Sequence, residues 1–344
     1  MKKTHSAKFS SVILTALITI AAVAQPRPAR AAGWETLQAG GAGREVRALK
    51  LLLRHRNYDP GVIDTNFDQR TFESLADFQK QNGLAPTGIA DAQTWEKLIT
   101  PITPGEPLGQ TNSAVEAVQY LLRDKYGFSA LEADGASGAG TKAAVALFEY
   151  NYQPGGAAAA DGSVNAETWS ALIRDSERVN DRGWIICVEL HRDRSLPGAL
   201  RAFDARGREL LEIPCLGQSL TMNPDWRQEY ANTPLGCFRA DISHKWRDGS
   251  EYGAHSCVGL NDEDVRAATD GRAGILIHSG RSRYRDRADA SLPYEYRDCR
   301  ARTINGLDQT HGCVRISDAG HARLIEALSG LGKGLALISE NEEE

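Results

Sequence analysis

The sequence predicts a multidomain protein in which two small all-α repeats precede a mainly β domain. The chain has 344 residues, more than one hydrophobic core usually supports. The segment Arg44–Ile99 is repeated in altered form as Ser113–Ile173. From Trp184 onward the apolar pattern changes from helical spacing to short runs bounded by turn residues, which is typical of strands.

The two copies of the repeat share their apolar spacing and their turn residues. Apolar residues recur at intervals of three and four in the first segment of each copy, which indicates an amphipathic helix. The matched pairs are Val46 and Val115, Leu49 and Val118, Leu52 and Leu121, Leu53 and Leu122, Asp64 and Asp134, Thr71 and Thr141, Phe78 and Phe148, and Trp95 and Trp169. Each copy is therefore predicted to be a small helical unit.

Both copies resemble the peptidoglycan-binding domain of three short helices, in which the turn Asp-Gly-x-x-Gly-x-x-Thr precedes the second helix. The second copy retains this turn as Asp134, Gly135, Gly138 and Thr141. The first copy has Thr65 and Asp68 where the glycines would stand, so its turn must differ. The resemblance implies wall binding, whereas helix capping is the purely structural role of Asp and Thr here. A Gly- and Ala-rich insertion at 155–162 is expected to be a flexible loop.

The N-terminus has the pattern of an export signal, with basic residues before the apolar run Val12–Val23 and small residues after it. The run is shorter than a spanning helix needs, so cleavage is expected, either at Ala22-Val23-Ala24 or at Ala29-Arg30-Ala31, which would remove residues 1–31; a retained anchor is the alternative. Residues 1–31 hold five basic and no acidic residues, so their removal changes the net charge from −5 to −10. This sign argues against a nucleic-acid partner and leaves an anionic wall possible. No stable membrane partner is expected.

The predicted domain boundaries follow changes in composition along the chain. They are a signal peptide at 1–31, repeat 1 at 33–100, a Pro-rich linker at 101–111, repeat 2 at 112–175 and a catalytic domain at 184–340. Strands are predicted at 185–190, 199–203, 209–216, 236–241, 275–278 and 335–338. A helix is predicted after Ser317, a residue type that caps helices, because Ala322, Ile325 and Leu328 have helical spacing.

Two short motifs in the β domain contain the candidate catalytic residues. They are Ile277-His278-Ser279-Gly280, at the end of an apolar strand, and Thr310-His311-Gly312-Cys313-Val314-Arg315. Together they resemble the signature of the L,D-transpeptidase (YkuD-type) family, and Thr233-Pro234-Leu235-Gly236 resembles that family's Thr-Pro-x-Gly segment. The resemblance implies a multidomain chain of two all-α, three-helix peptidoglycan-binding repeats and a mainly β, YkuD-type catalytic domain.

Acyl transfer by a thiol requires a nucleophile, a base and a site for the oxyanion, and the two motifs offer candidates for each. A thiol attacks as the thiolate, so Cys313 needs a neighbouring base. The family implies His278 for this task, with the backbone carbonyl of Ser279 orienting the ring. Gly312 lets the chain approach a substrate closely, and the N–H groups around it are candidates for binding the oxyanion. His311 is expected to assist as a hydrogen-bonding neighbour.

Substrate binding is assigned to the two ends of the second motif, Thr310 and Arg315. At the position of Arg315 the resemblance implies a structural contact or a contact with a substrate carboxylate. The spacer between His278 and Thr310 is unusually long, and its Arg-rich part at 281–300 is either a solvated loop or a lid that binds carboxylates. Cys299 lies in it.

The cysteines of the β domain could instead form disulfides or bind a metal. All six follow residue 186, and the connectivity of Cys187, Cys215, Cys237, Cys257 and Cys299 stays open. The string His255-Ser256-Cys257 is His-x-Cys, like His311-Gly312-Cys313, and zinc accepts such donors. Neither string has a strong zinc spacing, so neither a metal nor another cofactor is expected.

The resulting hypothesis is an exported peptidoglycan L,D-transpeptidase of the periplasm or the cell wall. Resemblance implies that Cys313 forms a thioester with a tetrapeptide stem and passes it to an amine, either on a second stem for a 3→3 cross-link or on a protein. An L,D-carboxypeptidase that uses water, an inactive wall-binding protein and an exported zinc hydrolase remain alternatives.

Overall fold

The structure is a computed structural model that describes residues 33–103, 112–219, 223–229, 231–244, 255–279, 303–304, 307–308 and 312–341. Within these ranges no helix has both the length and the apolar character that a membrane span requires. The predicted signal peptide, most of the predicted linker, Thr310, His311, Cys299 and the Arg-rich part of the spacer lie outside them.

The first half of the chain consists of two helical repeats, as predicted. The first contains α1 (Arg44–His55), α2 (Gln69–Gln81) and α3 (Ala92–Leu98), and the second contains α4 (Ser113–Lys125), α5 (Ala139–Tyr152) and α6 (Ala166–Ile173). The third helices begin alike, because the side chains of Asp91 and Asn165 accept hydrogen bonds from the backbone N–H groups of Thr94 and Thr168. The alignment of the two copies therefore corresponds to a structural repeat.

The turn before the second helix differs between the repeats, as the sequence predicts. In repeat 2, Gly135 has φ of 76° and Gly138 occupies the N-cap without a side-chain bond. In repeat 1, Asp68 caps α2 by accepting the N–H of Thr71 at 2.8 Å. The buried ammonium of Lys50 lies 2.7 Å from Asp64 and 3.6 Å from Asp68. Its positive charge therefore compensates the negative charge that Asp68 adds next to Asp64.

The two repeats pack against each other through α1 and α4. Both helices contribute apolar side chains to one buried cluster. At the edge of this contact Arg54 donates to Ser113 at 2.9 Å and forms an ion pair with Glu116. The chain leaving repeat 1 also pairs with repeat 2, because Ile102 and Val164 exchange backbone hydrogen bonds of 3.0 and 2.9 Å. The repeats thus share a core.

The Gly- and Ala-rich insertion, predicted as a flexible loop, contains one short helical turn. Ala157–Ala159 form a 3-10 helix, and Ala157 and Ala160 are buried. Methyl side chains permit the close packing of this segment against the fourth strand, and Gly156 supplies a turn with φ of 69°.

The second half of the described chain is mainly β, as predicted. Its strands are β1 (Trp184–Leu190), β2 (Gly198–Asp204), β3 (Glu209–Cys215), β4 (Gly236–His244), β5 (Cys257–Leu260), β6 (Leu276–His278), β7 (Thr303–Ile304), β8 (Leu307–Asp308), β9 (Val314–Arg315) and β10 (Gly334–Glu340). Two helices accompany them, α7 (Asp262–Ala268) and α8 (Asp318–Leu328). Ser317 caps α8 by accepting the N–H of Gly320 at 3.1 Å, as predicted.

Eight strands form one sheet in the order β3-β2-β1-β10-β4-β5-β6-β9, and β7 pairs with β8. The pairs β1–β10 and β6–β9 are parallel, and the other neighbours in the sheet are antiparallel. At its two edges, Leu216 after β3 and Arg315 of β9 exchange backbone hydrogen bonds of 2.9 Å each. This bridge joins the edge strands, so the sheet closes like a barrel.

The sheet is buried on both faces along β1. Trp184, Ile186 and Val188 belong to the cluster inside the barrel, whereas Ile185 and Cys187 belong to the cluster of the helical repeats. Successive side chains of a strand point to opposite faces, so a continuous apolar run is required where both faces are covered. Repeat 2 therefore covers the outer face of the barrel at β1. Strands β5, β6 and β9 form another part of this outer face.

Equivalent positions in the second helices of the two repeats hold different polar groups. Gln79 accepts from the N–H of Gly88 at 2.9 Å and donates to the carbonyl of Ile89 at 2.8 Å. Glu149 takes the same place in repeat 2 and accepts from the N–H of Gly162 at 3.0 Å. Burial raises the pKa of Glu149 to about 8, so the folded repeat holds this carboxyl neutral near pH 7.

We predict that Glu149→Gln stabilises the protein at alkaline pH. In the unfolded chain Glu149 ionises near pH 4.5, whereas in the fold it stays protonated up to about pH 8. Its contribution to stability is complete below pH 4.5 and declines as pH rises to 8, by at most about 5 kcal/mol. The free energy of unfolding, measured between pH 5 and 8.5, should fall less steeply for the variant.

The matched control is Gln79→Glu in repeat 1, which should introduce the same pH dependence there. Equal pH dependence of the unfolding free energy in wild type and Glu149→Gln would contradict the prediction.

Candidate active site

The predicted base is the last residue of β6, and the predicted nucleophile immediately precedes the neighbouring strand β9. In the β6–β9 pair, Ile277 is opposite Val314 and His278 is opposite Arg315. Ile277 and Val314 point into the barrel interior. The alternation of side chains therefore places His278 and Arg315 on the outer face, and the same alternation extended one residue ahead of β9 places Cys313 there. Strand spacing and rise put the α-carbons of His278 and Cys313 roughly 8 Å apart.

His278 is held in one tautomer. Its Nδ1 lies 2.6 Å from the carbonyl oxygen of Ser279, and a carbonyl only accepts, so Nδ1 carries the proton. Burial, followed by the charge of Arg315, lowers the pKa of His278 to about 3 against the opposing effect of this hydrogen bond. At neutral pH the ring is thus a neutral imidazole with Nε2 as its basic nitrogen. The Ser279 carbonyl thus contacts the His278 ring, as predicted for the group that orients it.

Cys313 is partly exposed, and its Sγ lies 3.9 Å from the carbonyl oxygen of Gly274. Burial raises the pKa of the Cys313 thiol. A hydrogen bond from the backbone of Leu276 and the charges of Arg315 and Arg272 act in the opposite direction. The group is therefore a thiol at neutral pH, so attack on an acyl carbon requires a base.

Thr233, the first residue of the Thr-Pro-x-Gly segment, contacts the backbone of the predicted nucleophile. It is fully buried, and its Oγ1 lies 3.2 Å from the carbonyl oxygens of both Cys313 and Gly217. Its backbone N–H also donates to Gly217 at 3.0 Å. A buried hydroxyl between two backbone carbonyls fixes the distance between their loops. The segment thus positions the residue that is predicted to be the nucleophile.

Arg272 is a site residue that the sequence analysis missed. Its side chain is buried and donates to the carbonyls of Asn232 at 2.8 Å, of Ala231 at 3.2 Å and of Trp226. The guanidinium lies against Gly312, where an added Cβ would come within 1.8 Å of Nη2. Gly312 also has φ of 113°, which a side chain disfavours. Packing and backbone conformation therefore both require glycine here.

We predict that Arg272→Met raises the pH at which Cys313 reacts. The guanidinium charge lowers the thiol pKa, so its removal should shift the midpoint of the pH–alkylation profile upward. Iodoacetamide labelling of Cys313, followed by mass spectrometry of its peptide, measures the profile. Arg272→Lys is the matched control, because it keeps the charge but lacks the fork that reaches several carbonyls. Identical midpoints for Arg272→Met and wild type would refute this electrostatic role.

The remaining candidates are distributed as follows. Arg315 is 3% exposed, and its charge acts on His278 and Cys313 from within the protein. Its contact with a substrate carboxylate stays a prediction, as do the roles of Thr310 and His311. Cys187, Cys215 and Cys237 are buried free thiols whose pKa values burial raises. Among the described side chains, no three of the His, Cys, Asp and Glu type are grouped as metal ligands would be.

Comparisons with known proteins give a family match and several matches to solved structures. Residues 42–98 and 111–172 match the family model for the peptidoglycan binding domain, which confirms the resemblance of the two repeats.

Three solved structures are similar to this chain at low sequence identity. An L,D-transpeptidase of Xylanimonas cellulosilytica is 22% identical with a TM-score of 0.25, over 70% of this chain and 100% of that one. L,D-transpeptidase 1 of Mycobacterium tuberculosis is 12% identical with a TM-score of 0.23, over 45% and 60%. A fused zinc-dependent amidase, peptidase and peptidoglycan-binding protein of Clostridium acetobutylicum is 14% identical with a TM-score of 0.23, over 89% and 100%. Similarity at this level transfers no residue role to this chain.

Proposed function

We propose that this protein is an exported L,D-transpeptidase that acts on peptidoglycan through a thioester on Cys313. The observation that carries the proposal is the pairing of strands β6 and β9. This pairing places the α-carbons of His278 and Cys313 roughly 8 Å apart. The Ser279 carbonyl accepts the Nδ1–H of the imidazole, which leaves Nε2 as the nitrogen that can take the thiol proton. The motif resemblance and the two peptidoglycan-binding repeats support the choice of substrate.

The reaction proceeds in two balanced steps. The proton of Cys313 passes to Nε2 of His278, and sulfur attacks the carbonyl carbon that follows an L-centre in a tetrapeptide stem. The C–N bond breaks, and the terminal D-amino acid leaves with the proton from His278. An acceptor amine then attacks the thioester and gives its proton to His278, the C–S bond breaks, and the proton passes from His278 to the Cys313 sulfur, which restores the thiol. The N–H groups around Gly312 and Cys313 bind the oxyanion in both steps.

Wall binding belongs to the repeats at 33–100 and 112–175 in this proposal. Because α1 and α4 share a core, the two repeats have a fixed spacing, which adds avidity when a polymer engages both. Residues 1–31 direct export, so the enzyme meets its substrate in the periplasm or the cell wall.

The decisive test is incubation of the purified protein with disaccharide-tetrapeptides, with mass spectrometry of both muropeptides and intact protein. A protein adduct of the acyl mass together with cross-linked dimers supports transpeptidation. Trimmed tripeptides alone would identify a carboxypeptidase, and the absence of both products would leave a wall-binding protein without this activity. Products that disappear with a metal chelator would contradict the thiol mechanism and favour a zinc hydrolase.

A further inference from the structure

A second buried histidine lies behind the proposed base. His321, in the first turn of α8, is fully buried and was not singled out by any motif. Its Nδ1 lies 3.2 Å from the backbone nitrogen and 2.9 Å from the Oγ of Ser279. Its Nε2 lies 2.9 Å from the carbonyl oxygen of Ser256. The ring thus connects α8 to the residue that follows β6 and to the residue that precedes β5.

These partners determine the tautomer of His321. The backbone N–H of Ser279 only donates, so Nδ1 must be the acceptor, and the carbonyl of Ser256 only accepts, so Nε2 must carry the proton. Burial lowers the pKa of His321, which keeps the ring neutral. His321 and His278 therefore have opposite tautomers, and each is fixed by backbone groups.

Ser279 joins the two histidines. It follows the last residue of β6, and His321 accepts its buried N–H, which needs an acceptor at this point of the chain. The carbonyl of the same residue accepts the Nδ1–H of His278 at 2.6 Å. A change in the orientation of Ser279 would alter the hydrogen bond that selects Nε2 of His278 as the base.

We propose that His321 is a positioning residue of the reaction, and this inference rests on the proposed function. Through its Nδ1 it holds Ser279 so that the Ser279 carbonyl keeps His278 in the tautomer with a basic Nε2. His321 itself touches neither substrate nor the reacting sulfur in this scheme.

Two polar substitutions of similar size separate positioning from packing. In His321→Asn the amide oxygen takes the place of Nδ1 and can accept from Ser279, whereas in His321→Gln the terminal amide takes the place of Nε2. We expect His321→Asn to retain most of the wild-type kcat. For His321→Gln we expect kcat to fall roughly 10-fold or more with little change in KM.

The second readout does not depend on turnover. In ¹⁵N spectra of the imidazole groups, wild type and His321→Asn should show His278 protonated at Nδ1 alone, whereas His321→Gln should show a mixture of tautomers. A pH series must account for the groups around His321, which are His278, His255, Asp318 and Arg315.

The outcomes are distinguishable. Equal kcat values and a single His278 tautomer in both variants would overturn the positioning role, and equal losses in both would show that His321 only packs. If wild type forms no acyl-enzyme, the proposed function fails, but the nitrogen signals of His278 still report whether His321 holds its tautomer.

Discussion

Cys313→Ala should abolish acyl-enzyme formation and lower turnover of a tetrapeptide substrate by on the order of 10³-fold or more. The thiol is the only group that this change removes, and the hydrogen bond from Thr233 to the Cys313 carbonyl involves backbone and can persist. Binding to insoluble peptidoglycan should be nearly unchanged, because the two repeats form their own helical elements. Intact-protein mass spectrometry measures the adduct, and sedimentation with sacculi measures binding.

Cys215→Ala is the matched control for Cys313→Ala. It removes a free thiol that is buried inside the barrel, so the acyl adduct should still form. Retention of the adduct in Cys313→Ala, or its loss in Cys215→Ala alone, would move the nucleophile to another residue.

His278→Ala should lower kcat by roughly 10²–10⁴-fold near neutral pH, the range that general base catalysis contributes. Alkaline pH should restore part of the rate, because thiolate forms without help as pH rises. Burial raises the thiol pKa above its ordinary 9.0, so the recovery should appear only above about pH 9. A pH–rate profile of the variant against wild type measures this effect.

The control for this loss is His191→Ala, which removes an imidazole from the loop between β1 and β2. It should leave the pH–rate profile as in wild type. A His278→Ala profile that stays flat up to high pH would mean that the base is another group, with His311 the next candidate.

The main strands were predictable because each has its own local pattern. The continuous apolar run of β1 and the alternation of β3 are properties of single segments, and both strands lie within one residue of their predicted ends. By contrast, β5 was missed because its four residues are too few to show a period. Helix α7 was missed although Asn261 and the three acidic residues after it form a helix-start signal. In the structure the Asn261 side chain caps this helix by accepting backbone hydrogen bonds from Glu263 and Asp264.

The insertion at 155–162 shows how tertiary context can change a local expectation. Its glycines and alanines favour a loop when considered alone. In the fold the same small side chains allow Ala157 and Ala160 to be buried. The packing partner belongs to the β domain, so no pattern within the insertion could have predicted an ordered element there.

What the sequence by itself determined is the order of the domains, the two repeats and the candidates Cys313 and His278, because these depend on local periodicity and on short motifs. Only the tertiary structure decided which residues support them. Arg272 reaches backbone carbonyls of the segment 226–232, and His321 binds Ser279 and Ser256. Backbone groups have the same chemistry in every residue, so such contacts leave no signature in the sequence. They arise only when folding brings distant segments into hydrogen-bonding distance.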